Sequence, residues 1–281
     1  MKSLDGKVAL VTGASGGIGA RIAKALAAEG VDVVVSGRKA DVLDRLAGDL
    51  RGRGVRAVAL SADLGDLEQI EPLVDRAEAA LGPIDLLVNN AGIENTGSFT
   101  RLTRDQLTAM VDINLTAPML LTHAALPGML RRGWGHVVFI SSVAGKQGVA
   151  YNVPYSTTKA GLVLLAQSLR AEYASSPVGF SVVCPGFVAG DGMYQRMVDS
   201  GLKASRLLGT TTTDRVAAKV IGVIRKDKPE VLVNSVPLRG ILALGQLAPR
   251  LVERVAPMFG ADTLFRQAAA DRGTLETAVD G

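Results

Sequence analysis

Cysteine, histidine and long apolar runs are scarce in this 281-residue sequence. Cys184 is its single cysteine, which excludes an intrachain disulfide and fits a reducing compartment. The flanks Ser181-Val182-Val183 and Pro185-Gly186 place that thiol at the end of a buried strand, a position for packing rather than nucleophilic attack. Of the two histidines, His123 has no second His, Cys or acid on its helix face at ligand spacing and His136 opens a strand, so no metal site is expected. No stretch of about 18 uninterrupted apolar residues occurs, which argues against a membrane-spanning helix. Residues Met1 to Lys7 lead into a short strand without an apolar h-region, so a secretory signal is not expected and the protein reads as cytoplasmic. Acids and bases are interspersed and leave a net charge of +4, too mild to argue for a nucleic-acid partner.

What the sequence does have is apolar residues, 48% of the total, and frequent glycine, enough for a substantial α/β core. Apolar runs at 8–11, 31–36, 55–60, 84–88, 137–140, 180–184 and 230–233 read as strands. Stretches at 17–29, 40–52, 66–81 and 103–130, one carrying Tyr155 and ending near 173, and 214–225 read as helices. Seven rounds of alternation without a linker predict one α/β domain over 1–236: a doubly wound, Rossmann-type parallel sheet of seven strands with helices on both faces. Residues 189–213 read as a mobile stretch in which Met193, Tyr194 and Met197 are candidate apolar contacts for a substrate. Residues 237–281 read as a helical C-terminal extension, for example over 241–255. It covers the substrate pocket, packs on the same domain or a partner subunit, or lies on a membrane surface.

The strand ends carry the candidate chemistry. The first strand passes through Thr12-Gly13-Ala14-Ser15-Gly16-Gly17-Ile18-Gly19 into a helix. Such a loop lets backbone approach a pyrophosphate, whose charge is favoured by the N–H groups at the helix start. The spacing is G-x-x-x-G-x-G rather than the usual dinucleotide pattern G-x-G-x-x-G. The second strand runs into Ser36-Gly37-Arg38-Lys39. With no acid there for ribose hydroxyls and a guanidinium for a 2′-phosphate, this argues for NADP(H) over NAD(H); the alternative is that Arg38 only opens a solvated helix. Asp63 either meets an adenine edge or serves as a cap or turn residue. The paired amides of Asn89-Asn90-Ala91-Gly92 can tie neighbouring loops together, and Glu94 and Asn95 beyond them face a substrate or lie in a surface loop. Asn114 stands in the otherwise apolar stretch 111–121 and is either a structural bridge or part of a polar site.

Tyr155 and Lys159 are four residues apart, one turn of helix on one face. An ammonium that close is expected to favour the phenolate and lower the tyrosine pKa, as suits a general acid or base. Taken alone, the pair is equally an ordinary surface pair.

Thr12-Gly13, Gly17, Gly19, Asn89-Asn90-Ala91-Gly92, Asn114, Ser142, Tyr155-x-x-x-Lys159 and Pro185-Gly186 stand in the order and spacing of the short-chain dehydrogenases/reductases, which residues 7–233 resemble. The resemblance implies an oxidoreductase that passes a hydride between NADP(H) and a carbonyl or secondary alcohol. Tyr155 would be its general acid/base, Ser142 would hold the substrate oxygen, Lys159 would bind the nicotinamide ribose, and Asn114 would position a relay water. It also implies that Gly13, Ser15, Gly17, Ile18 and Gly19 cradle the phosphates and Arg38 takes the 2′-phosphate. Asp63 and Leu64 would meet the adenine, Asn90 would lie along the cofactor, and Val188, after Pro185 and Gly186, would bond the carboxamide. Ser142 stands thirteen residues before Tyr155, the family's usual gap, so Tyr151 is assigned to the pocket wall or the structure.

The chain departs from the family pattern in having Gly190 where many members place a threonine, and in its long C-terminal extension. Similar extensions occur in members thought to act on bulky, lipid-like substrates. A homodimer or homotetramer is expected, although the usual tetramer contacts are in doubt. The competing class is a dinucleotide-binding scaffold that has lost catalysis.

Overall fold

Strands β1 (Val8–Val11) and β4 (Leu86–Asn89) are buried at every residue, as the middle of a sheet covered on both faces requires. The structure is a computed structural model that describes residues 3–190, 192–205, 208–248, 250, 260–271 and 273. Beside β1 lie β2 (Asp32–Gly37) and β3 (Ala57–Ser61); beside β4 lie β5 (Gly135–Ile140), β6 (Val178–Pro185) and β9 (Glu230–Val233). The order is β3-β2-β1-β4-β5-β6-β9, and every neighbouring pair is parallel. Winding reverses between β1 and β4, so a crevice opens there at the C-terminal ends of the strands. This is the expected seven-strand, Rossmann-type sheet.

Helices α1 (Gly17–Ala27), α2 (Ala40–Arg51) and α8 (Thr213–Lys226) bury Ile22, Leu26, Leu43, Val220 and Ile224 on one face. On the other face, α3 (Ile70–Leu81), α5 (Ala117–Arg132) and α6 (Val153–Glu172) bury Leu73, Leu121, Ala125, Leu162 and Ala166. Boundaries differ from the sequence expectation by a residue or two at most ends, where hydrogen bonds decide rather than composition.

The helix expected over 103–130 is three pieces. After a capping box in which Thr103 and Gln106 exchange side-chain and backbone bonds, α4 (Arg104–Val111) gives way to a π-helical turn, Asp112–Thr116, and then to α5. The whole run is long and apolar enough by composition to span a bilayer. Ala117, Leu121, Ala125 and Met129 are nevertheless buried in the core, which accounts for that composition.

The stretch read as mobile holds structure. β7 (Phe187–Ala189) and β8 (Thr210–Thr212) pair in parallel as a separate two-stranded sheet, with α7 (Met193–Asp199) between them. In the extension, α9 (Arg239–Leu247) is followed by α10 (Ala261–Asp271). The end of the helix expected over 241–255 lies outside the described residues. α10 sets Leu264, Phe265 and Ala268 against Tyr194 and Met197 of α7 and against Phe187. Tyr194 and Met197, taken as substrate contacts, are therefore buried in a satellite core of their own; the substrate reading missed that α10 returns to cover them. Tyr151 packs on the same cluster.

Candidate active site

Glycine geometry shapes the crevice. Gly13 has φ +64 and a Cβ there would sit 2.8 Å from Ala91 Cα. A side chain at Gly19 would strike the Gly13 carbonyl. Asn90 crosses this tight junction, its Nδ2 donating to the carbonyls of Thr12 (2.9 Å) and Gly13 (3.2 Å), while Thr12 Oγ1 accepts from the backbone N–H groups of Asn90 and Ala91. Of the paired amides, that of Asn90 thus ties β1 to β4, as expected, whereas Asn89 Nδ2 donates to Thr122 Oγ1 on α5. No side-chain hydrogen bond from Gly16 caps the N-terminus of α1, and the start of a helix is a place where backbone N–H groups and dipole favour an anion.

Ser15 packs against Gly37, where a Cβ would come within 2.5 Å of its Oγ. Ser15, Gly37, Arg38, Asp63, Leu64 and Ile93 line one continuous cleft with Gly13. Arg38 is exposed and its guanidinium forms no ion pair among the described residues. Asp63 fills its alternative role as well, because Oδ1 accepts from Gly65 N at 3.0 Å and closes a turn. Gly17 (φ +54) and the half-buried Ile18 begin α1 above this cleft. A cradle that a Cβ would fill, the start of a helix and a cation with no ion pair among the described residues match the needs of a phosphorylated dinucleotide.

The second half of the site lies at the ends of β5 and β6. Ser142 follows β5, accepts from Ala144 N at 3.1 Å and faces the Pro185 carbonyl at 3.5 Å. Gly186 donates to Val233 O and stands where a side chain would strike Asn234. Val188 is buried in β7, level with Thr211. α6 starts at Asn152 and Val153, and its first two turns present Tyr155 and Lys159 on one face. Lys159 Nζ stands 5.6 Å from the Tyr155 ring centroid and donates to Ile140 O at 2.9 Å. Asn114, on the π-turn and fully buried, binds Ile93 through both its backbone groups (2.8 and 2.9 Å) and donates to Thr158 Oγ1 at 3.2 Å. Its amide is a structural bridge from the π-turn to the β4 loop and α6. A π-turn is a common means of placing one such side chain.

The electrostatics correct one expectation. The Tyr155 pKa is raised, not lowered: burial of the phenol is the largest cause, the charge of Glu94 adds to it, and a hydrogen bond with Ser142 offsets part. Burial likewise pulls Lys159 down to about 8, against the raising influence of Cys184 and Glu94. In a site this enclosed, loss of hydration outweighs the neighbouring ammonium. Burial also pushes the Cys184 thiol up to about 12, in keeping with its packing role.

A charged lysine in such a place destabilises the fold. Below pH 8 Lys159 is protonated in folded and unfolded chains alike and the burial penalty is fully present. Between about 8 and 10.5 the unfolded chain holds more protons, so stability rises with pH across that window. Lys159→Met should therefore raise the Tm of the cofactor-free protein at pH 7 by roughly 2–4 °C. That gain should fade as the pH approaches 10.5. An unchanged or lower Tm at pH 7, by calorimetry, would show that the bond to Ile140 outweighs the penalty.

Thr12, Thr158 and Asn152 join the site without having been assigned to it from the sequence, and Glu94, left open there between substrate and surface loop, lies close enough to act on Tyr155 and Lys159. Thr12 was legible as the hydroxyl preceding the glycine turn; the others depend on how loops fold back.

Residues 7–199 match the family described as short chain dehydrogenase. The chain belongs to the short-chain dehydrogenase/reductase family. It is 39% identical over 277 residues to the ketoacyl reductase HetN of Nostoc sp., a match covering 97% of this chain and 96% of that one. Among solved structures it resembles a blue fluorescent protein from a metagenomic library, in complex with NADPH, with TM-score 0.73 and 31% identity over 83% of this chain and 98% of that one. It also resembles a metagenomic short-chain oxidoreductase in complex with NADP, with TM-score 0.70, 33% identity and the same coverage. The match to HetN includes the C-terminal extension, which the shorter solved structures have no length to match in full.

Proposed function

We propose that this protein is an NADPH-dependent reductase of a keto group on a bulky, apolar, acyl-like substrate. The observation that carries this reading is the meeting of Ser142, Tyr155 and Lys159 beside a glycine-lined cleft that ends at Arg38, which forms no ion pair among the described residues. Supporting it are the NADPH and NADP complexes of the two structural relatives and the ketoacyl reductase matched along nearly its whole length. Gly13, Ser15, Gly17, Ile18 and Gly19 would hold the pyrophosphate, Arg38 the 2′-phosphate, and Asp63 and Leu64 the adenine end. Asn90, Lys159, Pro185, Gly186 and Val188 would hold the nicotinamide half.

When bound, the cofactor supplies a hydride to the carbonyl carbon. The residues of the chain supply the rest. Ser142 donates a hydrogen bond to the carbonyl oxygen and fixes its position. Tyr155 gives that oxygen its phenolic proton, so that the carbonyl becomes a secondary alcohol and Tyr155 a phenolate. Burial keeps Tyr155 protonated at neutral pH, which favours the acid role and hence reduction. Lys159 stabilises the phenolate as it forms. The Asn114 side chain is committed to Ile93 and Thr158, so a relay water at this turn would rest on its backbone.

A screen of NADPH oxidation with 3-oxoacyl thioesters and simple ketones of graded chain length tests the reading. The expected result is kcat/KM rising with chain length; oxidation of none of them would remove it.

A further inference from the structure

The loop leaving β4 is fastened at successive points to the π-turn and to the start of α6. Ile93 is held by Asn114, Glu94 accepts from Asn152 Nδ2 at 2.5 Å, and Gly97 N donates to Tyr151 O at 2.8 Å. Asn152 is 1% exposed and stands just before the first residue of the helix that carries Tyr155 three residues later. A Cβ on Gly92 would lie 3.3 Å from Lys159 Nζ, so the same loop passes the lysine before it reaches Glu94. This path sets the Glu94 carboxylate at the first turn of α6, close enough for both Tyr155 and Lys159 to feel its charge.

We propose that Glu94 sets the charge of the substrate: it admits carbonyl compounds that are neutral around the reacting carbon and rejects those with a carboxylate or phosphate beside it. This rests on the carbonyl-reductase reading. Glu94 is half-buried, so its field is only partly screened by water. Lys159 is the cation at the reacting centre and would by itself attract an anionic substrate; Glu94 opposes it. Cys184 is neutral, and Lys146 and Glu230 compensate one another at 2.9 Å. The net preference therefore turns on Glu94.

The test compares kcat/KM for a matched pair, a 3-oxo ester and the corresponding 3-oxo acid anion. Wild type should favour the ester. Glu94→Gln should improve the anion relative to the ester by about tenfold or more, the scale of a lost like-charge repulsion at partly screened range. Asn152→Ala, which removes the latch but not the charge, should leave the ratio within about threefold of wild type. An unchanged ratio in Glu94→Gln, or an equal loss on both substrates, would overturn the proposal and leave Glu94 a structural clasp. If Glu94→Gln does not fold, the salt dependence of the wild-type ratio decides: discrimination should weaken as ionic strength rises, and a flat ratio overturns it. Turnover of neither substrate by wild type would instead remove the carbonyl-reductase reading, and this inference with it.

Discussion

Tyr155→Phe should lower kcat for ketone reduction by about 10³-fold, within the range that one positioned general acid contributes. NADPH affinity, read by fluorescence of the reduced nicotinamide, should change by less than about threefold, because only one hydroxyl is lost and the aromatic ring still fills the space. The fold should be unaffected for the same reason. The effect is large because the position has no substitute: Ser142 is an alcohol that can orient the oxygen but not protonate it near neutral pH, and Lys159 donates to Ile140 O. A variant retaining more than about a tenth of wild-type kcat would show that the proton comes from elsewhere. A variant that loses NADPH binding in step with turnover would show that Tyr155 acts through the cofactor site.

Arg38→Asp should change the ratio of kcat/KM for NADPH over NADH by about 100-fold or more in favour of NADH. Two effects add. A guanidinium that can grip a phosphate is lost, and a carboxylate is placed where it repels a 2′-phosphate and can accept from ribose hydroxyls. The side chain is exposed and unpaired among the described residues, so its replacement breaks no internal contact and the fold should stand. Gly37 beside it leaves room for the approach; a side chain there would strike Ser15. Lys39, also exposed on this rim, should retain part of the NADPH affinity. An unaltered ratio would mean that the 2′-phosphate is held by another group.

The sheet was legible because its strands are short, densely apolar and evenly spaced by helical stretches; a strand buried on both faces advertises itself in composition. β7 and β8 were not, since Phe187-Val188-Ala189 and Thr210-Thr211-Thr212 are three residues each and acquire their meaning only on meeting one another. The same holds for Tyr194 and Met197, whose apolar character was plain but whose partner, α10, lies about seventy residues further along the chain. Within the site, the glycine loop, Arg38 and the Tyr155–Lys159 face could be read from residue types and spacing, whereas Ser142, Ile18 and Val188 entered only through family resemblance. The direction of the Tyr155 shift was misread because spacing reveals the lysine and conceals the burial. Glu94 was left open because an acid in a loop discloses nothing of where the loop goes.

The π-helical turn at Asp112–Thr116 also has a consequence for the phase of the helices around it. Each residue of a regular α-helix advances the side-chain direction by about 100°, and one extra residue in a turn rotates all that follows by nearly that amount. Met110 before the turn and Ala117, Leu121 and Ala125 after it are all buried; a continuous α-helix would bring them to one side, and the turn instead directs Met110 away from the face that α5 buries. Removing one residue from the turn would let residues 104–132 anneal into a straight and locally more regular helix. Both apolar sets would keep their present directions, and what would be lost is the bulge that places Asn114 against Ile93 and Thr158. The irregular turn thus lets two helices with differently directed buried faces follow one another while one amide is held inward.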